Sequence, residues 1–280
     1  MHFPLDHHFE MLNDTIRLEK YRLAMESVLS PNDHVVDLGS GTGILSFFAH
    51  KVGVKNISSI EYFKNVSEFS ESISFNRYKI INASSWHTSL DQPTVVVTET
   101  IGSVGLEELI VEICRDMKVR HESIKSFIPS SIDIKCRFIN SKDVTEGFLS
   151  NLKVFSSAFD NDEDIKEVLN KRILDVMSGQ INELDINFVD SESGELDLAS
   201  FVLGESTSSY FSKNIEVPCG YNALEIFFDA KLSDNILLTN SHHDDSTHWK
   251  NTFVMIPEGV SSVEIRFSPE ERDYQFFWKQ

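Results

Sequence analysis

His34-Val35-Val36-Asp37-Leu38-Gly39-Ser40-Gly41-Thr42-Gly43 is the stretch that decides the fold. Its first five residues read as a strand buried on both faces, because the run is apolar rather than alternating. Three alternate glycines follow, and the apolar segment from Ile44 to Val52 then reads as a helix. Strand, glycine turn and helix in succession form the opening unit of an open α/β sheet. Such sheets bind ligands at the carboxyl ends of their strands. Glycine there lets the backbone approach a ligand that a Cβ would hold off.

The same alternation extends on both sides. Asp14 or Thr15 can cap a helix running to about Ser30, with Ile16, Tyr21, Met25 and Val28 available for a buried face, before Pro31-Asn32-Asp33 breaks the chain. Ile57 to Glu61, Lys79 to Ala83 and Thr94 to Thr98 read as three more strands. Strands separated by helical stretches imply a parallel sheet with right-handed crossovers. After Pro129 the pattern changes to period two: Ile132 to Phe138, Ala223 to Ala230, Thr252 to Ile256 and Val263 to Phe267 read as antiparallel strands. An apolar stripe at Ile165, Val168, Leu169, Ile173, Leu174 and Met177 inserts a helix among them, over about residues 158–178. The expected division is residues 1–128, an α/β half, and residues 129–280, a β-rich half.

The glycine spacing is G-x-G-x-G, unlike the usual dinucleotide fingerprint, and no Lys-Ser or Lys-Thr follows to grip phosphate. Glu61 ends the next strand 18 residues past Gly43, the place for an acid that holds two ribose hydroxyls. Asp37, Gly39, Gly41, Gly43 and Glu61 together point to S-adenosylmethionine as cofactor.

Composition bounds the partners. The 280 residues carry 25 Lys+Arg against 44 Asp+Glu, a net charge of −19, and 41% hydrophobic residues. That field repels nucleic acid and anionic membrane and attracts cations, although acidity alone also serves solubility. No run reaches the roughly 20 apolar residues of a membrane helix. The start lacks a signal-peptide layout. Three scattered cysteines form neither a disulfide framework nor a thiolate metal site and suit a reducing compartment, so a cytoplasmic protein is expected. His242-His243-Asp244-Asp245 has ligand residue types, but four adjacent ligands rarely converge on one ion. A solvated loop and no metal are expected there.

A resemblance to one family gathers further residues. His8-Phe9-Glu10-Met11 with Asp14-Thr15-Ile16-Arg17 and Tyr21-Arg22-Leu23-Ala24-Met25 resembles the amino-terminal helix of the protein arginine methyltransferases. Thr98-Glu99-Thr100-Ile101-Gly102, with Glu108 nine residues after Glu99, resembles their two-glutamate loop, and Thr247-His248-Trp249-Lys250 their Thr-His-Trp loop. The motifs stand in order over almost the whole chain. The resemblance implies a Rossmann-like class I methyltransferase half followed by a β-barrel-like half with a short helical arm, and a homodimer.

A guanidinium stays protonated at neutral pH, with a pKa of roughly 12.5–13.8, so its nitrogen is a poor nucleophile. Two carboxylates can take its N–H donors as forked pairs and draw charge away from the attacking nitrogen. Glu99 and Glu108 suit that work, with Gly102 letting the loop turn between them and Glu107 as an alternative to Glu108. By resemblance, Arg17 pairs with the cofactor's methionine carboxylate, and Asp14 and His248 form a pair that accepts the lost proton. Trp249 walls the arginine pocket, Met11 packs beside the guanidinium, and Glu99 belongs to both the cofactor-binding and the substrate-binding sets. The implied reaction is methyl transfer to arginine in a basic protein or peptide. Methylation of free arginine or a small guanidine, and an inactive cofactor-binding scaffold, are the alternatives. Two positions depart from the family: no carboxylate stands near Ser84 to Trp86, where one often meets the adenine, and Ile110 replaces a methionine.

Overall fold

Strand β1 (His34–Leu38) is buried at every residue, as a run with neighbours on both edges and both faces must be. In this computed structural model, which describes residues 9, 11–141, 144, 168, 178–184, 189–244 and 247–280, it centres a parallel sheet. The other members are β2 (Asn56–Glu61), β3 (Lys79–Asn82), β4 (Val95–Thr98) and β5 (Ser126–Ile128), ordered β3-β2-β1-β4-β5. The order reverses between β1 and β4, which opens a crevice at their carboxyl ends. Helices α1 (Thr15–Val28), α2 (Ile44–Val52), α3 (Lys64–Ser74) and α4 (Ile110–Arg120) accompany these strands.

Asp14 caps α1, its Oδ1 accepting the Arg17 N–H at 2.9 Å. Arg17, Tyr21, Ala24 and Met25 make the buried face. The Tyr21 hydroxyl donates to the carbonyl of Thr98 at 2.8 Å and pins the helix to the end of β4. Val28, expected inside, is 38% exposed; the helix stops there and the extended Leu29 turns inward instead. Ile16 is only half-buried.

Antiparallel strands make up the rest. A seven-stranded sheet is built from β6 (Ser131–Asn140), β7 (Asn182–Leu184), β8 (Ser191–Glu192), β9 (Leu196–Val202), β11 (Ala223–Ser233), β12 (Ile236–Thr239) and β13 (Asn251–Met255). A three-stranded sheet joins β10 (Phe211–Glu216), β14 (Ser262–Ser268) and β15 (Asp273–Lys279). Strand β11 pairs with β6 from Ala223 opposite Ile139 to Lys231 opposite Ser131, and with β12 and β13 on its other edge. Being central, it is buried almost throughout rather than on alternate residues as its sequence pattern suggests. Glu225 and Asp229 are therefore buried with it and need charged partners.

One apolar cluster continues from Val36 and Val96 through Leu106 and Ile132 to Phe228 and Ile265, so both kinds of sheet share a core. The helical stripe expected over 158–178 lies outside the described residues, except for Val168, which is helical and 62% exposed, and Ser178 at its end. Among the described residues, no helix is long and apolar enough to cross a membrane.

Candidate active site

The glycine turn is held by its own neighbourhood. Asp37 Oδ2 accepts the backbone N–H and the hydroxyl of Ser46, both at 2.8 Å, and so anchors the start of α2 to the end of β1. Burial pushes the Asp37 carboxyl up to about 6, with nearby Glu61 adding to it against the Ser46 donors. Glu61 Oε2 accepts the Gly41 N–H at 2.9 Å and Oε1 the Phe63 N–H at 2.7 Å. Burial raises its carboxyl as well, opposed by those backbone donors. Gly39 (φ 69°) and Gly43 (φ 82°) are in the left-handed region. A Cβ on Gly39 would lie 2.7 Å from Thr100 Cγ2, and one on Gly43 would lie 2.6 Å from Ser70 Oγ. Both positions are packed so closely against neighbouring protein, at left-handed backbone angles, that only glycine fits.

Glu99 follows β4 directly, across the crevice from this turn. Its Oε2 holds Arg17 Nη1 at 2.8 Å, while Arg17 Nη2 donates to the Met11 carbonyl at 2.6 Å. Burial pushes Glu99 up to about 7, and although Arg17 pulls it down, Glu108 and Asp14 add to the rise. Asp14 goes the other way. Burial alone would raise it, but the His248 ring and the N–H groups of Arg17 and His248 outweigh that and hold it low. Its Oδ2 accepts His248 N at 2.8 Å and His248 Nδ1 at 2.9 Å. Arg17 Cζ stands 6.0 Å from the ring centre of Trp249.

The loop between the two glutamates has a firm backbone. Glu107 folds back into it, Oε1 accepting the Val104 N–H at 2.9 Å, and a Cβ on Gly102 would meet Glu107 Oε2 at 2.5 Å. Gly102 opens a turn, its carbonyl accepting the Gly105 N–H at 2.9 Å, and it allows the fold-back by supplying space rather than an unusual backbone angle. Glu107 staples the loop, while Glu108 is exposed as a residue although surrounding protein desolvates its carboxyl and raises it. Three donors from the β-rich residues secure the loop's carbonyls. Trp249 Nε1 donates to Ile101 at 3.1 Å, Asn240 Nδ2 to Ser103 at 2.8 Å, and the Tyr274 hydroxyl to Val104 at 2.8 Å.

Asp14, Arg17, Glu99, His248 and Trp249 thus meet in one place, with Met11 touching Arg17 through its carbonyl. Asp37, Gly39, Gly41, Gly43 and Glu61 form the neighbouring turn. Ile110 is wholly buried at the start of α4, and Trp86 is 40% exposed in the short turn Ser85–His87. Tyr21, Ser46, Thr100, Asn240 and Tyr274 were not foreseen as supports. Only Tyr21 carried a signal, lying one turn beyond Arg17 on the same face. In the 242–245 run, His243 and Asp244 are exposed as expected of a solvated loop, but the His242 side chain is 9% exposed, drawn in by the buried Glu225 at 2.7 Å, and Asp245 lies outside the described residues.

The sheet order, the glycine turn and the terminal acids define a Rossmann-like α/β protein joined to an antiparallel body. Protein arginine N-methyltransferase 1 of Saccharomyces cerevisiae is 25% identical over 293 residues, covering 95% of this chain and 81% of that protein. Protein arginine N-methyltransferase 6 of Danio rerio is 24% identical over 282 residues, 92% of this chain and 78% of that protein. Protein arginine N-methyltransferase 8-B of Danio rerio is 36% identical over 110 residues, which span 26% of its length. Among solved structures, the Trypanosoma brucei PRMT1 enzyme-prozyme heterotetrameric complex with AdoHcy superposes with a TM-score of 0.74 at 17% identity, covering 99% of both chains. No protein-family model matches the chain. In sequence and in fold, the chain resembles the protein arginine N-methyltransferases along nearly its whole length.

Proposed function

We propose that this chain is an S-adenosylmethionine-dependent N-methyltransferase acting on the guanidino group of arginine in a protein or peptide. One observation carries the reading: Glu99, at the ligand-binding edge of the sheet, already holds a guanidinium, that of Arg17, at 2.8 Å. The carboxylate is thus built for this charge and shape, and Glu108 stands near enough to interact with it electrostatically.

The turn fits the cofactor. Gly39 and Gly43 hold left-handed angles that shape a turn of bare main chain at the ligand-binding edge of the sheet. Glu61 retains a lone pair for a ribose hydroxyl, since a carboxylate offers about four acceptor positions and the backbone of Gly41, Tyr62 and Phe63 takes three. Asp37, Gly39, Gly41, Gly43 and Glu61 would hold the nucleoside part, with Arg17 and Glu99 beside its amino-acid end. Bound there, S-adenosylmethionine supplies an electrophilic methyl group.

The chain's own residues do the rest. Glu99 and Glu108 take the N–H donors of the incoming arginine, fix its orientation and bias charge away from the attacking nitrogen. Glu99 sheds its raised proton as the guanidinium arrives, because a cation at its oxygens favours the carboxylate. Trp249 and Met11 line this pocket. Asp14 keeps the proton on His248 Nδ1, which leaves Nε2 as the open nitrogen for the proton lost after transfer. The acidic surface helps to collect a basic substrate.

The division at residues 128 and 129, a cytoplasmic location and a homodimer complete the reading. The free cysteines Cys114, Cys136 and Cys219 support the location, and the exposed Tyr62 and Phe75, with the apolar stripe over 160–177, support the dimer. The deciding experiment offers methyl-labelled cofactor with free arginine, decarboxylated arginine and an arginine-rich protein. Label on the protein that disappears in Glu99→Gln is expected. Label on the small guanidines alone would overturn the substrate, and no label despite cofactor binding would overturn the reaction.

A further inference from the structure

Outside the site, three strands and two loops bring a second set of charged groups together. Glu225 on β11 is wholly buried and Arg137 on β6 is 1% exposed. Glu225 accepts the His242 backbone N–H at 2.8 Å through Oε1 and His242 Nδ1 at 2.7 Å through Oε2. Both of those bonds come from the ring or main chain of one residue, so they set the proton on Nδ1 and leave Nε2 carrying a lone pair. That nitrogen faces Glu192 Oε2 on β8 at 3.2 Å, and His243 Nε2 faces the other oxygen, Oε1, at 2.9 Å. The two imidazole rings are 4.2 Å apart, tilted by 33°.

His243 can donate a neutral Nε2–H to Glu192, but with the Nδ1–H of His242 directed at Glu225, its Nε2 lone pair faces Glu192 Oε2 unmatched unless positive charge stands between them. One dication would satisfy that lone pair, the facing carboxylate and the His243 ring together. The charge sum agrees: Glu192, Glu195, Glu225 and Asp229 against Arg137 and Lys135 leave four negatives and two positives, a net −2. Arg137 bonds Glu195 at 2.6 Å through Nη2, but its Nε and Nη1 stand 3.5 Å from Glu225 Oε2 and Glu192 Oε2 and hydrogen-bond neither, although buried. Ligand atoms of Glu192, His242 and His243 all lie within 4.8 Å of one another.

We propose that Glu192, His242 and His243 form a binding site for a transition-metal dication of the zinc type. Two imidazoles and one carboxylate suit such an ion better than magnesium or calcium, which prefer oxygen alone. Glu225 is the outer carboxylate that orients His242, the usual companion of a metal-bound histidine. The expectation of no metal rested on four adjacent ligands failing to converge. Two of them, His242 and His243, converge, and the third ligand, Glu192, comes from a strand 51 residues before His243. Asp244, next along, pairs with Lys20 of α1 at 3.5 Å, and Thr247-His248-Trp249 follow. In terms of the function proposed above, the site lies a few residues along the chain from His248.

The test uses the untagged full chain, stripped with chelator and titrated with Zn2+ by calorimetry and with Co2+ by visible absorption. Binding is read without methyl transfer, so its outcome is independent of the catalytic reading. One saturable site is expected, with a Zn2+-dependent rise in Tm. His243→Ala, at an exposed side chain, and Glu192→Gln are each expected to weaken binding at least about tenfold while the metal-free Tm changes little. The proposal is overturned if the full chain shows no saturable binding, or if both variants bind as the wild type does.

Discussion

The glycine turn and the acceptor site follow the neighbouring strands β1 and β4 on one sheet edge, yet they are organised in opposite ways. The turn satisfies its carboxylates locally: Asp37 takes its donors from Ser46, nine residues on. The acceptor site is assembled from three distant pieces of chain, with His248 bonded to Asp14 across 234 residues. Local closure yields a turn that holds its form whatever the acceptor does. Distant closure yields a place where buried charges depend on one another, so each can be moved by a ligand.

This contrast can be broken most sharply at Glu99. Glu99→Gln should lower kcat by about 10³ or more, the scale of losing a group that acts on charge in the transition state, while calorimetric affinity for the cofactor stays within a few fold. A parallel loss of cofactor binding would show that the two regions are one.

Second in size, His248→Ala or Asp14→Asn should reduce kcat by about 10²-fold, the range for positioned proton acceptors, again sparing cofactor affinity. Equal loss in the double variant and in either single one would mark them as a unit.

The pH profile comes next. Glu99 is raised to about 7, so in the free protein it gains a proton as pH falls through that value and loses the carboxylate that arginine needs. kcat/KM should therefore fall about tenfold per unit well below pH 7. A flat profile from pH 6 to 8 would show that Arg17 keeps Glu99 ionised throughout.

The smallest effect sharpens the other side. Gly39→Ala places a side chain at φ 69° and against Thr100, costing about 1–2 kcal/mol of backbone strain. Tm should drop a few degrees and the cofactor Kd should rise, with kcat at saturation nearly unchanged.

The same contrast explains what was legible beforehand. The strand, the glycines and Glu61 could be read because a local turn writes its requirements in neighbouring residues. Parallel strands β1 to β4 were equally plain, being short apolar runs between helices. Strands β7 to β10, β12 and β15 were not, because their short or polar segments are paired by partners far along the chain. Val28 was misplaced because periodicity does not tell where a helix ends. The buried pairing of His242 with Glu225 was hidden for a similar reason: nothing near either residue shows that β11 runs through the middle of a sheet.

The loop from Glu99 to Glu108 leaves the parallel sheet, but three of its carbonyls are held by Trp249, Asn240 and Tyr274. These anchors make the protein a poor candidate for modular exchange. A different antiparallel body grafted onto the same sheet would keep the turn and its ligand, yet would have to bring an indole, an amide and a phenol to the same three oxygens before the paired glutamates could keep their spacing.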